Sequence, residues 1–148
     1  MKIYLAADHA GFELKETLKQ HLSTKGFEVE DCGAHSFDPA DDYPDFIIPA
    51  AQKVAEDPGS LGIIMGGSGQ GEAMAANRVK GVRAAVYYDG PLDIIELSKT
   101  HNNANILSLG ARFVRAEKAR EVVDLWLGKT FEGGRHQHRI EKLDTILC

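Results

Sequence analysis

The glycine-rich stretch GGSGQGE at residues 66–72 has residue types that can hold an anion and move a proton. It follows an apolar run and precedes a helical pattern, where backbone N–H groups can donate hydrogen bonds to an oxyanion. Gly66 and Gly71 have the spacing of the phosphate-binding loop G-x-x-x-x-G-K-[ST], but Glu72 replaces its lysine. The dinucleotide fingerprint G-x-G-x-x-G also fails, because its third glycine falls on Glu72 or Met74. The loop therefore predicts an oxyanion site and supports neither ATP nor NAD.

Glu72 itself has two interpretations. An acidic residue in the first turn of a helix interacts favourably with the helix dipole, by about 0.3 to 1 kcal/mol, and could be merely stabilising. However, Ala75, Ala76 and Val79 lie three, four and seven residues further on, so the carboxylate shares the apolar, sheet-facing stripe. A carboxylate there is either paired or partly desolvated, and desolvation raises its pKa toward the range of a general base.

Two further polar clusters could belong to a site. Asp8 and His9 follow the first apolar run, although aspartate at that point often just caps the next helix. The residues HNN at 101–103 precede the last apolar run, although histidine and asparagine are ordinary loop residues. Neither cluster predicts a function on its own.

Three arginines are candidates for holding an anion. Arg112 follows the last apolar run, and Arg135 and Arg139 lie at i and i+4 on one helical face. That spacing suits a two-armed grip on a phosphate. A solvated surface pair is the alternative for the two helical arginines, and an acidic protein favours it.

Five short β-type runs alternate with helical patterns, which indicates a parallel sheet. The runs cover residues 2–7, 27–31, 61–66, 82–88 and 105–110. We therefore predict an α/β fold: a doubly wound, Rossmann-like, five-stranded parallel sheet with helices on both faces, in a single domain of residues 1–148 with a C-terminal helix. Such a sheet binds ligands outside the carboxyl ends of its strands, so the loops that follow those ends should hold the chemistry.

Helical patterns lie between these runs. Leucine recurs at every fourth position over residues 14–22, and Gly26 follows as a stop. The stretch 115–127 has apolar residues at the spacing of an amphipathic helix. Another helix follows the turn-rich segment 38–46, and we expect Pro49 to interrupt it.

The bulk properties exclude several classes of protein. A formal net charge of -5 over 148 residues argues against sequence-independent nucleic-acid binding, which needs clustered Lys and Arg. The chain shows no secretory signal pattern and no apolar run of membrane-spanning length, so we expect a cytoplasmic protein that does not enter membranes. Cys32 and Cys148 fit neither a disulfide framework nor a metal-ligand spacing, and we assign them no role.

Taken together, the motifs resemble one family. AADHAGFELK, DYPDF, GGSGQGEAMAANR, THNNANILSLGAR and EGGRHQHRI occur in the order found in the type B ribose-5-phosphate isomerases, which are grouped with bacterial galactose-6-phosphate isomerase subunits. The resemblance covers nearly the whole chain. It implies an aldose–ketose isomerase that needs no metal or cofactor and works through a cis-enediolate. In one branch of the family the base is a cysteine at the position of Gly66; in the other it is a glutamate at the position of Glu72, which this sequence resembles.

The resemblance also implies the residues of the site. Its catalytic residues would be Glu72, His101, Ser68 and Asp8. Its substrate-binding residues would be His9, Gly66, Gly67, Gly69, Gln70, Gly71, Asn102, Arg112, Arg135 and Arg139. Among these, His101 assists ring opening, Ser68 and the loop N–H groups hold the enediolate oxygens, and Asn102 binds a sugar hydroxyl. Asp8 and His9 line the sugar and its phosphate end, and the three arginines bind the phosphate.

The predicted topology separates two groups of these residues. His101 and Asn102 end a helix and precede the fifth strand, so they should lie at the amino edge of the sheet, opposite the glycine loop. We therefore predict a homodimer whose active sites take residues from both chains, and the sequence leaves open whether dimers pair into tetramers. Two alternatives stay open for function: another substrate, such as galactose 6-phosphate or a tetrose phosphate, and a sugar-phosphate-binding module without catalysis.

Overall fold

The computed structural model describes residues 1–147, so Cys148 lies outside the described residues. Five parallel strands form one sheet in the order β2-β1-β3-β5-β4. The strands are β1 (Lys2–Ala7), β2 (Glu28–Asp31), β3 (Leu61–Gly66), β4 (Ala84–Tyr87) and β5 (Ile106–Gly110). The predicted five-stranded parallel sheet is confirmed.

Helices cover both faces of this sheet, as predicted. They are α1 (Phe12–Thr24), α2 (Pro44–Glu56), α3 (Gln70–Ala76), α4 (Asp93–Thr100), α5 (Ala116–Leu127) and α6 (Arg135–Asp144). One hydrophobic core joins the sheet to α1, α4 and α5, and a second core joins it to α2 and α3. Successive residues of β3 alternate between them: Ile63 and Met65 pack in the first core, and Ile64 packs in the second. Among the described residues, no helix has the length and apolar character needed to cross a bilayer.

Element ends differ from the sequence expectation where turn hydrogen bonds compete with the strand pattern. The fourth strand was expected over 82–88, but the Val82 N–H donates to the Val79 carbonyl at 3.1 Å and the Arg83 N–H to Asn105 Oδ1 at 2.8 Å. These bonds make 82 and 83 part of the turn that leads into β4. Gly26 ends the first helical region in a left-handed conformation (φ 89°), as its position predicted.

The expectation that Pro49 interrupts a helix is wrong. Helix α2 runs without a break from Pro44 to Glu56 and contains Pro49. Pro49 lies on the exposed side of α2. Water can therefore satisfy the Asp45 carbonyl that the proline ring leaves without an intrahelical donor, and the helix continues.

Candidate active site

Three loops meet where the strand order of the sheet reverses. Strand β1 has β2 on one side and β3 on the other, and the carboxyl ends of β1, β3 and β5 lie side by side through the pairs Ala7↔Met65 and Gly66↔Gly110. A crevice at such a switch point is where ligands bind in open α/β sheets. The loop after β1 carries Asp8 and His9, the loop after β3 is the glycine loop, and the loop after β5 carries Arg112.

The glycine loop is held in shape by its backbone and by one buried serine. Gly69 has a left-handed conformation (φ 79°), and a Cβ added to it would lie 2.9 Å from the Leu109 carbonyl carbon. The Ser108 hydroxyl donates to the Gly69 carbonyl at 2.6 Å. Ser68 is half-buried, and its Oγ accepts from the Gln70 N–H at 3.3 Å. A fixed loop of this kind keeps its N–H groups oriented, which is what stabilisation of an oxyanion needs.

Glu72 is buried at the floor of this loop, with 4% of its surface exposed. Its carboxyl group occupies the space that a side chain at Gly66 would need, because an added Cβ there would overlap it. Burial is the main cause that raises the pKa of Glu72, and the negative charge of Asp8 raises it further. The backbone N–H groups of Glu72 and Gly69 partly oppose this rise. The carboxylate is therefore desolvated, one of the two states that its helical phase predicted.

Asp8 serves as a cap and also faces the site. Its Oδ1 accepts from the N–H groups of Ala10 at 3.0 Å and Gly11 at 3.3 Å, which caps the short 3₁₀ turn His9–Gly11. It is 7% exposed, and its negative charge adds to the raised pKa of Glu72. The capping interpretation and proximity to the loop both hold for the same residue.

His9 is oriented by Asp41, a contact that the sequence analysis missed. Asp41 Oδ1 lies 2.7 Å from His9 Nδ1 and accepts from the His9 backbone N–H at 3.0 Å. The hydrogen bond to Asp41 is the main cause that raises the pKa of His9, and the negative charge of Asp8 raises it further. Burial and the positive charge of Arg112 lower it. The imidazolium form is therefore favoured. The only sequence signal was the position of Asp41 beside the DYPDF motif.

Tyr43 and Arg112 flank the glycine loop. A Cβ added to Gly71 would lie 2.8 Å from the Tyr43 hydroxyl oxygen, and one added to Gly67 would lie 3.0 Å from Arg112 Cζ. The Arg112 backbone N–H donates to the Gly67 carbonyl at 3.1 Å. Both glycines thus allow a side chain from another element to lie against the loop.

The second group of predicted site residues lies elsewhere in the chain. His101 ends α4, its N–H donates to the Leu97 carbonyl at 3.0 Å, and Asn102 follows it. They precede the amino end of β5, whereas the glycine loop follows the carboxyl end of β3, and a five-residue strand spans roughly 16 Å. Arg135 and Arg139 lie exposed on α6. The placement at opposite edges agrees with the topological expectation.

His101 contacts two residues to which the sequence analysis gave no role. Its ring stacks on that of His136, with centroids 4.1 Å apart and planes 17° apart. Glu132 Oε1 lies 3.6 Å from His101 Nε2 and 3.7 Å from His136 Nε2. Burial and the neighbouring positive charges, that of His101 first, lower the pKa of His136, while Glu132 opposes them. Both residues lie in the EGGRHQHRI motif, which was their only signal.

Two clusters among the described residues have side chains that could hold a metal ion. One is Asp8, His9 and Asp41, and the other is His101, Glu132 and His136.

Cys32 is half-buried and free, and burial raises the pKa of its thiol. A thiol in that state is a poor nucleophile, which gives no reason to assign Cys32 a chemical role.

Known proteins with similar sequence and structure cover almost the whole chain. The family described as "Ribose/Galactose Isomerase" matches residues 3–143. The ribose-5-phosphate isomerase B of Mycobacterium tuberculosis is 44% identical over 144 residues, which are 97% of this chain and 88% of that protein. The probable ribose-5-phosphate isomerase B of Mycoplasma genitalium is 46% identical over 142 residues, which are 95% of this chain and 92% of that protein.

Solved structures agree with this match. The ribose-5-phosphate isomerase B of Mycoplasma genitalium with bound ribulose-5-phosphate superposes with a TM-score of 0.93 at 44% identity, covering 98% of this chain and 95% of that one. The ribose 5-phosphate isomerase of Thermotoga maritima superposes with a TM-score of 0.91 at 45% identity, covering 97% of each chain.

Proposed function

The chain belongs to the ribose/galactose isomerase family of aldose–ketose isomerases, and on that premise we propose that it interconverts ribose 5-phosphate and ribulose 5-phosphate through an enediolate, with Glu72 as the base. The observation that carries the proposal is the buried Glu72 carboxylate beside a loop of backbone N–H groups. The relatives named above and the ribulose-5-phosphate bound to one of them support the choice of substrate.

The chemistry needs a base and a stabilised oxyanion at one place. Glu72 removes the proton from C2 of the open-chain aldose, and the C1 carbonyl takes up the electrons to give the enediolate. The hydroxyl proton of O2 passes to O1, and Glu72 returns its proton to C1 while O2 becomes the carbonyl. A positioned base contributes typically 10² to 10⁴ in rate. Ser68 and the N–H groups of the loop donate to the enediolate oxygens, and each such donor is typically worth 10² to 10³.

The phosphate positions the reacting carbons from a distance. Arg112 and His9 both lie on loops at the carboxyl edge of the sheet, and the charge of Arg112 lowers the pKa of His9. Arg135 and Arg139 supply two further cations on one exposed helical face. Binding energy from a phosphate that does not react can be used to orient C1 and C2 against Glu72.

We propose that the complete site forms between two copies of the chain. His101 and Asn102 lie at the opposite edge of the sheet from Glu72, so a partner subunit must bring them, with Arg135 and Arg139, to the glycine loop. Large apolar side chains beside the carboxyl edge support such a contact: Tyr88 is 45% exposed and Phe113 63% exposed. Exposed apolar surface of this kind is typical of a protein–protein interface.

A substrate panel tests the proposed function. The turnover number divided by KM should be highest for ribose 5-phosphate when it is compared with galactose 6-phosphate and a tetrose phosphate, all in the presence of a chelator. A higher value for either of the other sugars would change the substrate and keep the chemistry. Binding of sugar phosphates without turnover on any of them would instead favour the non-catalytic binding module.

Gly66→Ala should lower kcat by about 10²-fold with a smaller effect on KM, because misplacing a catalytic group by about 1 Å can cost that much. The added methyl would overlap the Glu72 carboxyl group and push it out of its position. Gly128→Ala is the matched control: a Cβ there meets nothing closer than 3.4 Å and lies at the end of α5, away from the loop. Unchanged turnover in Gly66→Ala would show that the Glu72 position observed here is not the reactive one.

Asp41→Asn should make substrate binding more sensitive to pH. Asp41 raises the pKa of His9 above the 6.5 of a free histidine, so wild type keeps the imidazolium charge to higher pH. As pH increases, the KM of the variant should begin to rise at a lower pH than that of wild type. Near pH 5.5 the two KM values should be similar, because even an unshifted histidine is about 90% protonated there. The measurement is the ratio of the two KM values across pH, which cancels the titration of the substrate phosphate. Asp42→Asn, an exposed neighbour, should leave that ratio near one at every pH.

A further inference from the structure

Three side chains converge at the end of α4 in a way that the isomerase chemistry does not require. His101, Glu132 and His136 form a cluster whose ligand atoms all lie within 4.8 Å of one another. Glu132 Oε1 lies 3.6 Å from His101 Nε2 and 3.7 Å from His136 Nε2. We call these three residues the His–Glu–His cluster.

The cluster has the donor set of a zinc site, and its two N···O distances are close to those that zinc requires. Zinc binds histidine nitrogen at about 2.0–2.1 Å and carboxylate oxygen at about 2.0–2.2 Å in a tetrahedron, so its ligand atoms lie about 3.3 Å apart. Shifts of a few tenths of an ångström would bring the two N···O distances to that value. Two histidines and one glutamate are a recognised zinc set with the fourth position open.

The backbone already holds the three residues together. The Glu132 N–H donates to the Thr100 carbonyl at 3.0 Å, which ties residue 132 to the end of α4 beside His101. His136 is buried at the start of α6, and its N–H donates to the Gly133 carbonyl at 3.2 Å. The rings are stacked with their planes 17° apart, so their lone pairs run nearly parallel, and at least one imidazole must turn out of the stack before both Nε2 atoms can face one ion. The backbone is therefore in place before an ion binds, and binding requires rotation of a side chain.

The chemistry of the donors selects the ion. Imidazole nitrogen suits zinc, nickel, copper and cobalt, whereas magnesium and calcium prefer sets made of oxygen. Arg135 and Arg139 lie on α6 one residue before and three residues after His136, and their positive charges oppose the binding of any cation. A divalent ion of the zinc type should therefore bind weakly enough to be removed by a chelator.

We propose that the His–Glu–His cluster binds a divalent ion of the zinc type and that this ion inhibits the isomerase reversibly. The ion binds Nε2 of His101 and so occupies the lone pair that this residue needs for proton transfer during ring opening. The inhibitory part rests on the proposed function of His101, and binding of the ion does not.

Direct binding is measured on the full chain after removal of metal. Zinc is titrated by calorimetry and cobalt by its visible absorption, with magnesium as the ion expected not to bind. Glu132→Gln and His136→Asn should each weaken zinc and cobalt binding by at least about tenfold, since even residues that only support a ligand cost 10- to 100-fold. His138→Asn removes an exposed histidine from the same helix and should bind like wild type. Equal binding by all four proteins would overturn the proposal, as would the absence of binding in wild type.

Activity is measured in parallel, with each variant normalised to its own rate without zinc. Zinc should inhibit wild type and His138→Asn, a chelator should restore both, and Glu132→Gln should need at least about tenfold more zinc for the same inhibition. Binding at the cluster with full activity retained would overturn the inhibitory part. A chain that binds zinc at the cluster but isomerises no sugar phosphate would overturn the proposed function and leave the metal site standing.

Discussion

Replacing Glu72 with glutamine should lower kcat by about 10²- to 10⁴-fold, the usual worth of a general base. Glutamine has nearly the same shape but cannot accept the C2 proton, so KM should change much less than kcat. If the chain is instead a binding module without catalysis, Glu72→Gln should strengthen the binding of a sugar phosphate, because a buried negative charge near the ligand is removed. Steady-state kinetics with ribose 5-phosphate measure the loss of kcat, and direct titration with the same sugar phosphate measures the change in binding.

The pH dependence gives a second readout of the same residue. Burial raises the pKa of Glu72 above 4.5, and only the deprotonated carboxylate is a base. Turnover of wild type should therefore fall as pH drops through that raised pKa, at a higher pH than an ordinary glutamate would give. The residual rate of Glu72→Gln should not show this fall. Glu121→Gln, on the exposed side of α5, should keep both the rate and the pH profile of wild type.

The same raised pKa sets the sign for stability. A carboxyl group whose folded-state pKa is raised binds its proton more readily in the folded protein, so it costs folding free energy as pH rises through the interval above 4.5. Glu72→Gln removes this cost, so the variant should stay folded at pH 8 with an unfolding temperature at least as high as that of wild type. A large loss of activity without a lower unfolding temperature would then be chemical in origin. Near-normal turnover in a folded variant would exclude Glu72 as the base.

The periodic parts of the structure could be predicted from the sequence because periodicity is local. Alternating β runs and helical spacing indicated the sheet and its helices, and the phase of Glu72 relative to Ala75, Ala76 and Val79 predicted its burial. The outcome at Pro49 depends on which side of α2 meets solvent, and that is set by packing. A proline on the exposed side leaves a carbonyl that water can reach, so the same residue that would break a buried helix is tolerated here.

Contacts between distant segments could not be predicted in this way. Asp41 is 32 residues from His9, and Glu132 reaches His101 only because a hydrogen bond joins residue 132 to the Thr100 carbonyl. Aspartate in a turn and glutamate near a helix start are common for local reasons, so their types carry little information about a distant partner. The fold is needed to bring each of them to its histidine.

Gly66 shows how a missing side chain can decide chemistry. The sequence indicated a loop whose lysine had been replaced by Glu72, and it could not show where the carboxylate lies. The structure places the carboxyl group in the space above Gly66, so position 66 and Glu72 compete for one volume. A side chain at 66 and a carboxylate from 72 cannot both occupy this volume, so the proposed role of Glu72 requires glycine at position 66.

Mixing two inactive variants should restore activity if the active site is shared between subunits. Glu72→Gln and His101→Asn are each expected to lose activity, because each dimer site lacks one of the two groups. In a hybrid dimer, one site carries both defects and the other carries neither. Equal mixing with free exchange should therefore recover roughly a quarter of the wild-type rate per chain, as expected for a two-fold symmetric dimer with half of the dimers hybrid.

The matched control for this experiment combines two variants from the same side of the site. Glu72→Gln mixed with Ser68→Ala leaves one defect in every site of every hybrid, so no activity should return. Recovery is measured after co-expression with two different affinity tags, and the hybrid is purified through both. If the purified hybrid of Glu72→Gln and His101→Asn is as inactive as its parents, His101 does not act at the partner's glycine loop, and the shared site is wrong. If its rate is about half that of wild type, one intact site per dimer has formed from two chains.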